Sequence, residues 1–155
     1  CHKGYYGTHD GSWYQYLGSD KARSGMVPIE YHEALNERYY GDLQGRNKKQ
    51  ATEEFGEEQI HEWRRSFAVA PPNGESLKMT MERTLPFFHE RIAGLLREDH
   101  TVLIAAHHNS LRSIVKFLED VSDEDIPHFE MKTGVPRVYH MDDRLKVKEV
   151  KNLSS

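Results

Sequence analysis

Thr101-Val102-Leu103-Ile104-Ala105-Ala106-His107-His108-Asn109-Ser110-Leu111-Arg112 is the stretch that decides the fold. Its first six residues are apolar almost without interruption, the pattern of a strand buried on both faces in a parallel sheet. Leu111, Ile114, Val115 and Leu118 then recur at helical spacing, with Ser110 placed to cap the helix. A strand, a polar turn and a helix in that order favour an α/β layered fold. His107, His108 and Asn109 are thereby expected at the carboxyl end of a strand, where open α/β sheets gather ligands.

Upstream, Leu77, Met81, Leu85, Phe88, Ile92 and Leu95 form one apolar stripe on a helix expected to end near Glu98, with Pro86 kinking or splitting it. Ala70 to Gly74 cannot continue a helix and reads as an extended connection. Before it, Asn47 can cap a helix from Lys48 to about Phe55. Gly56 suits a left-handed stop, and a second helix runs to about Arg65 with Ile60 and Trp63 inward. Val27 to Ile29 is consistent with a buried strand leading into a loop that carries Asn36, Glu37 and Arg38. Downstream, Ser122 and Asp125 resemble a capping box before a short helix near Ile126. Val135 to Met141 and Leu145 to Val150 read as strands around an Asp142-Asp143 turn. The glycine-rich residues 1–26 show neither period and read as an irregular segment ahead of a domain spanning 27–155.

A chain of 155 residues with 37% hydrophobic residues can build one core, and one domain is expected. A net charge of −4 argues against a general nucleic-acid binder, so any anion site must be local. No apolar run is long enough to cross a bilayer, and no leader opens the chain, which reads as cytoplasmic. Cys1 is the single cysteine, which excludes an intramolecular disulfide. A chain that opens with Cys1 and not Met is expected to have lost something upstream.

An imidazole at a strand end, beside Asn109 and the start of a helix, can hold a phosphoryl group by charge and hydrogen bonds. A polar strand end needs polar residues whatever its role, and spacing alone favours that plainer reading of His107. The adjacent His107 and His108 point to opposite faces of an extended strand and do not readily share an ion, so no metal is expected. Glu37, in a loop after a strand, can reach a ligand, though an isolated loop glutamate is ordinarily a solvated charge. Arg64 and Arg65 offer two forks for carboxylate or phosphate, with Lys48 adding a point charge. The same arginines would complement a helix dipole without binding anything.

Taken together, the chain resembles the cofactor-dependent phosphoglycerate mutases of the histidine phosphatase superfamily. Residues Leu35 to Lys48 resemble the family's LNERHYG-x-LQG-x-NK block, and Trp63 to Phe67 its WRRS-aromatic block. Gly74 to Lys78 match GESL-K, Ile104 to Arg112 match IAAHGNSLR except at His108, and Thr133 to Pro136 match TG-[IV]-P. The resemblance implies a mostly parallel sheet flanked by helices in a three-layer fold, incomplete at its amino terminus. It implies that Glu37 exchanges a proton with the substrate hydroxyl and that His107 flanks the transferred phosphoryl group. Arg38, Tyr40, Lys48, Arg64 and Arg65 would clamp the glycerate, and Asn109 would contact phosphate. The implied reaction interconverts 3- and 2-phosphoglycerate through a phosphohistidine. The implied cofactor is 2,3-bisphosphoglycerate, with no metal, no nucleic-acid or membrane partner, and a homo-oligomer among the possibilities.

Three features depart from the family. The Arg-His-Gly motif of the nucleophile is absent, and Thr8-His9-Asp10-Gly11-Ser12-Trp13 echoes it only loosely. His108 replaces a glycine, which could narrow a phosphate pocket. The mobile tail is short, and loss of a lid favours hydrolysis over transfer. A catalytically impaired fragment that retains phosphoglycerate binding, and a phosphomonoester phosphatase of the same superfamily, therefore stand beside the mutase.

Overall fold

The computed structural model describes residues 27–153, in two parts: Val27–Glu33, and a body that begins at Ala34. The expected irregular segment, residues 1–26, and His9 within it lie outside the described residues.

Val27 and Ile29 are 79% and 54% exposed and form no strand, contrary to the buried strand expected there. An apolar run is buried only where another element covers it. Short 3₁₀ turns follow at Glu33–Leu35 and Gly41–Leu43. Helix α1, Lys48–Phe55, begins where expected, because the Asn47 side chain accepts a hydrogen bond from the Lys49 N–H at 2.9 Å. Gly56, at φ +84°, ends α1 and starts α2, Glu57–Arg65. Helix α2 carries Glu57 and Glu58 in its first turn and Arg64 and Arg65 in its last, the order its dipole favours. Ile60 is buried with Leu43 and Ala51, and Trp63, Phe55 and Tyr40 pack around them.

The Pro71–Gly74 segment is a tight turn and not an extended connection, with the Gly74 N–H donating to the Pro71 carbonyl at 2.9 Å. It seats against Gly41, whose φ is +55° and where a Cβ would lie 2.1 Å from the Pro72 carbonyl oxygen. Only glycine fits there. The Asp42 N–H donates to Pro72 and the Glu75 N–H to Tyr39, at 3.0 and 2.8 Å, which ties this turn to the Glu37 loop.

Helix α3, Leu77–Phe87, is capped by Ser76 and passes through Pro86. It then widens into a π turn, Phe88–Ile92, and resumes as α4, Ala93–Arg97. Proline removes one helical N–H, and the irregularity just beyond it is where the ladder readjusts.

Helix α5, His108–Leu118, starts earlier than expected: His107 is its N-cap, and Ser110 sits inside it. The Ser110 hydroxyl lies 3.0 Å from both the Leu35 and His107 carbonyl oxygens, so it ties α5 to the Glu37 loop and caps nothing. Phe88, Ile92 and Ile114 form the second core, joined by Leu35, Val102, Ile104 and Leu118. Burial of each large side chain there contributes about 1.5–3 kcal/mol.

The expected two-faced burial of Thr101–Ala106 is corrected. Val102, Ile104 and Ala106 are half-buried, whereas Thr101, Leu103 and Ala105 are exposed, Leu103 to 85%. Among the described residues no strand pairs with this segment, so only the face against the second core is covered. The sheet among the described residues is an antiparallel hairpin of β1, Arg137–Met141, and β2, Val147–Asn152, with an irregular register between His140 and Met141. Both strands and the Asp142 turn match the expectation. Arg137 and Tyr139 anchor the hairpin to α5 by converging on the Glu119 carboxylate at 2.6–2.7 Å. Among the described residues no helix is long and apolar enough to cross a membrane.

Candidate active site

The Glu37 loop is shaped from behind by Arg83 on α3. Its guanidinium donates to the carbonyls of Ala34, Asn36 and Glu37 at 2.8, 3.0 and 3.3 Å, and pairs with both oxygens of Glu75 at 3.1 Å. The other end of the clamp is the Tyr39 N–H, which donates to Glu75 at 2.9 Å. Burial pushes the Glu75 carboxyl up, but the Arg83 and Tyr39 hydrogen bonds and the charges of Arg83 and Arg38 outweigh it and hold it below the usual range.

From that loop the half-buried Glu37 turns toward the start of α5. Its Oε1 accepts from the Asn109 side-chain amide at 3.0 Å and from the Arg38 N–H at 2.7 Å. The same Asn109 Nδ2 lies 2.9 Å from the Tyr40 hydroxyl. Tyr40 lies between two guanidinium groups, with Arg38 and Arg64 at 4.9 and 5.4 Å from its ring centre. Arg38, only 1% exposed, donates Nη2 to the Arg64 carbonyl at 3.1 Å. Its Nε and Nη1 have no acceptor among the described residues. Buried guanidinium donors without partners suit an oxyanion that brings its own acceptors.

Residues 72 positions apart in sequence thus meet directly. Arg38, Tyr40, Arg64 and Asn109 gather around Glu37. The half-buried Arg65 pairs with Glu130 at 2.9 Å, and its charge is felt at Arg112 and His108. Lys48 opens α1. His107 stands at the N-cap of α5 with its side chain exposed and its carbonyl taken by Leu111 and Ser110. His108, half-buried, is the imidazole whose charge couples to Glu37. Burial and then the Arg112 and Arg65 guanidinium groups push it below the ordinary histidine value, against the opposing pull of Glu37 and Glu130.

Arg112 is the residue that sequence reasoning passed over. It lies one helical turn after Asn109, is 1% exposed, and donates to the Asn109 Oδ1 at 3.1 Å and to the Ile126 carbonyl. Burial, followed by the Arg65 and Arg38 charges, brings its pKa down to about 10, which leaves it cationic at neutral pH. The i, i+3 relation to Asn109 was the available signal. Glu75 and Arg83 were also missed, and their eight-residue separation carries no local pattern that would reveal them.

An open cleft of about 820 Å³ between the start of α2 and the Ile126–His128 turn shares Arg65 with this cluster. Its lining includes Glu57, Glu58 and Glu62, which repel anions, so this cleft suits an oxyanion less well than the Glu37 cluster does.

A loop carboxylate is thus tied to a helix start among buried guanidinium groups, an arrangement suited to an anionic ligand. The family model of the histidine phosphatase superfamily (branch 1) matches residues 19–153, and the chain belongs to that superfamily. It is 47% identical over 135 residues to a 2,3-bisphosphoglycerate-dependent phosphoglycerate mutase of Gloeothece citriformis, covering 87% of this chain and 57% of that one. It is 50% identical over 123 residues to the like-named protein of Chlamydia trachomatis, covering 79% of this chain and 54% of that one. The chain thus spans little more than half the length of these curated relatives. Among solved structures, a mycobacterial glucosyl-3-phosphoglycerate phosphatase superposes with a TM-score of 0.65 at 21% identity, covering 84% of this chain and 66% of that one. The alpha-ribazole phosphatase from Shigella flexneri gives 0.61 at 22%, covering 89% and 65%. These likenesses establish the histidine phosphatase fold and say nothing of substrate.

Proposed function

We propose that this chain carries the acid/base and anion-clamping part of a phosphoglycerate mutase, which interconverts 3- and 2-phosphoglycerate through a phosphohistidine. The observation that carries the reading is the Asn109 amide, which joins Glu37 to the start of α5 at 3.0 Å beside the Arg38 and Arg64 guanidinium groups. Phosphoryl transfer depends on in-line positioning and on cations facing the charged oxygens, and this cluster supplies the cations. Glu37 exchanges a proton with the glycerate hydroxyl. Arg38, Arg64, Arg65 and Lys48 hold carboxylate and phosphate, Tyr40 and Asn109 orient the bound acid, and His107 flanks the phosphoryl group. The orphan donors of Arg38 fit 2,3-bisphosphoglycerate as well as the substrate, and the same cations would hold it. When bound, that cofactor supplies the phosphoryl group that primes the enzyme.

We also infer that Thr101–Ala106 is a strand of a mostly parallel, three-layer sheet. Its alternating exposure, with Leu103 outward and Val102 and Ile104 against the second core, supports an extended strand, and the likeness to solved structures of the same fold supports the layered sheet. The similarity of the chain to relatives named as mutases supports the mutase branch. Phosphorus NMR of the chain with 3-phosphoglycerate and 2,3-bisphosphoglycerate tests it. The expected product is 2-phosphoglycerate, with turnover at least about a hundredfold lower in Glu37→Gln. Release of inorganic phosphate would mark a phosphatase instead, and neither product nor an acid-labile phosphohistidine would defeat the enzyme reading.

A further inference from the structure

We infer that Arg112 is a positioning residue that locks the Asn109 side-chain amide in the one orientation that presents its NH₂ to Glu37 and Tyr40. An asparagine amide has a donor end and an acceptor end, a guanidinium only donates, and an ionised carboxylate only accepts. Asn109 lies between the two, with Oδ1 receiving Arg112 Nη1 at 3.1 Å and Nδ2 facing Glu37 Oε1 at 3.0 Å and the Tyr40 hydroxyl at 2.9 Å. Turning the amide over would set NH₂ against the guanidinium and oxygen against the carboxylate, losing both bonds and adding two repulsions. Arg112 itself is held from the far side by the Ile126 carbonyl, so α5, the Ile126–His128 turn and the Glu37 loop share one polarity-matched chain. Asn109 and Arg112 are 3% and 1% exposed, which keeps water from substituting for either partner.

Arg112 therefore acts through Asn109 and touches no substrate. Its consequence is a Glu37 carboxyl held in one rotamer before the ligand arrives, which is pre-organisation of the acid/base. For catalysis this rests on the mutase reading. The amide orientation does not.

The test has two arms. In the first, the Asn109 Nδ2 protons are followed by nitrogen-edited NMR in the chain without ligand. They are expected to be shifted, slow to exchange and close to the Tyr40 ring, and to lose these features in Arg112→Met. Amide signals unchanged in a folded Arg112→Met protein would overturn the proposal. Should that variant not fold, the unsubstituted chain decides, because an Asn109 amide without contacts to the Tyr40 ring overturns it equally.

In the second arm, 3-phosphoglycerate affinity is measured in the unsubstituted chain, Arg112→Met, Asn109→Ala and the double variant. Arg112→Met is expected to weaken binding roughly tenfold. That loss is expected to vanish in the Asn109→Ala background. Equal losses in both backgrounds would mean that Arg112 acts only as a structural strut, and the proposal falls. If the unsubstituted chain binds no 3-phosphoglycerate, the mutase reading fails while the amide arm still decides the role of Arg112.

Discussion

Replacing Arg83 with Met keeps most of the side-chain volume and removes at least five hydrogen bonds, among them three to loop carbonyls and two to Glu75. Each charge-assisted bond is worth about 1.5–3 kcal/mol when one partner is deleted. The bonds share one guanidinium, on a side chain that is 27% exposed, so they do not add, and a total loss of about 3 kcal/mol is expected at neutral pH. The sign of the pH dependence follows from Glu75, whose folded pKa lies below its ordinary value. Its contribution is present above the unfolded pKa and fades as pH falls through the depressed folded value. Arg83→Met removes two of the downward influences and leaves burial opposed only by the Tyr39 hydrogen bond and the Arg38 charge, so the difference between variant and parent should shrink as pH falls through the depressed folded value. Urea unfolding at several pH values, with the slope checked for constancy, reads this directly. A difference below about 1 kcal/mol at neutral pH, or one that does not change with pH, would refute the role of Arg83 as the clamp of the Glu37 loop.

Gly41→Ala combines a positive φ with a Cβ 2.1 Å from the Pro72 oxygen, and thermal melting should show a loss of more than about 2 kcal/mol. An equal stability would mean that the Pro71–Gly74 turn moves aside freely. Glu119→Gln should destabilise the hairpin by about 1–2 kcal/mol above the usual carboxylate range. Burial raises the Glu119 pKa, but the Arg137 and Tyr139 hydrogen bonds outweigh it, so the parent's advantage should vanish in acid. Hydrogen exchange in β1 and β2 is the readout, and unaltered protection would count against the anchor.

The elements with local chemistry were readable in advance. Asn47, Gly56 and Ser122 act as their residue types predict, and the β1 and β2 hairpin follows from alternation around a turn. The Thr101–Ala106 run was misjudged because an apolar run records what a segment is suited to meet. It does not record which neighbour covers it, and Leu103 faces outward. The start of α5 was misplaced for a related reason. Ser110 is a good cap by type, but its hydroxyl is used by the Leu35 and His107 carbonyls. Within the site, Glu37, Arg38, Tyr40, Arg64 and Asn109 were identified through the motif blocks, and the structure brings them together. Arg83 and Glu75 shape the loop from outside those residues, through contacts between segments distant in sequence. The coupling of His108 to Glu37 depends on α5 beginning one residue after His107.

The central claim is that the guanidinium cluster around Glu37 and Asn109 grips a small phosphorylated hydroxy acid. Calorimetric titration of the chain with 3-phosphoglycerate at low and high salt tests it most directly. A one-to-one complex is predicted, weakened by salt and lost in Arg64→Met combined with Arg38→Met. Heat no greater than that of dilution, or an affinity untouched by the paired substitution in a folded protein, would contradict it.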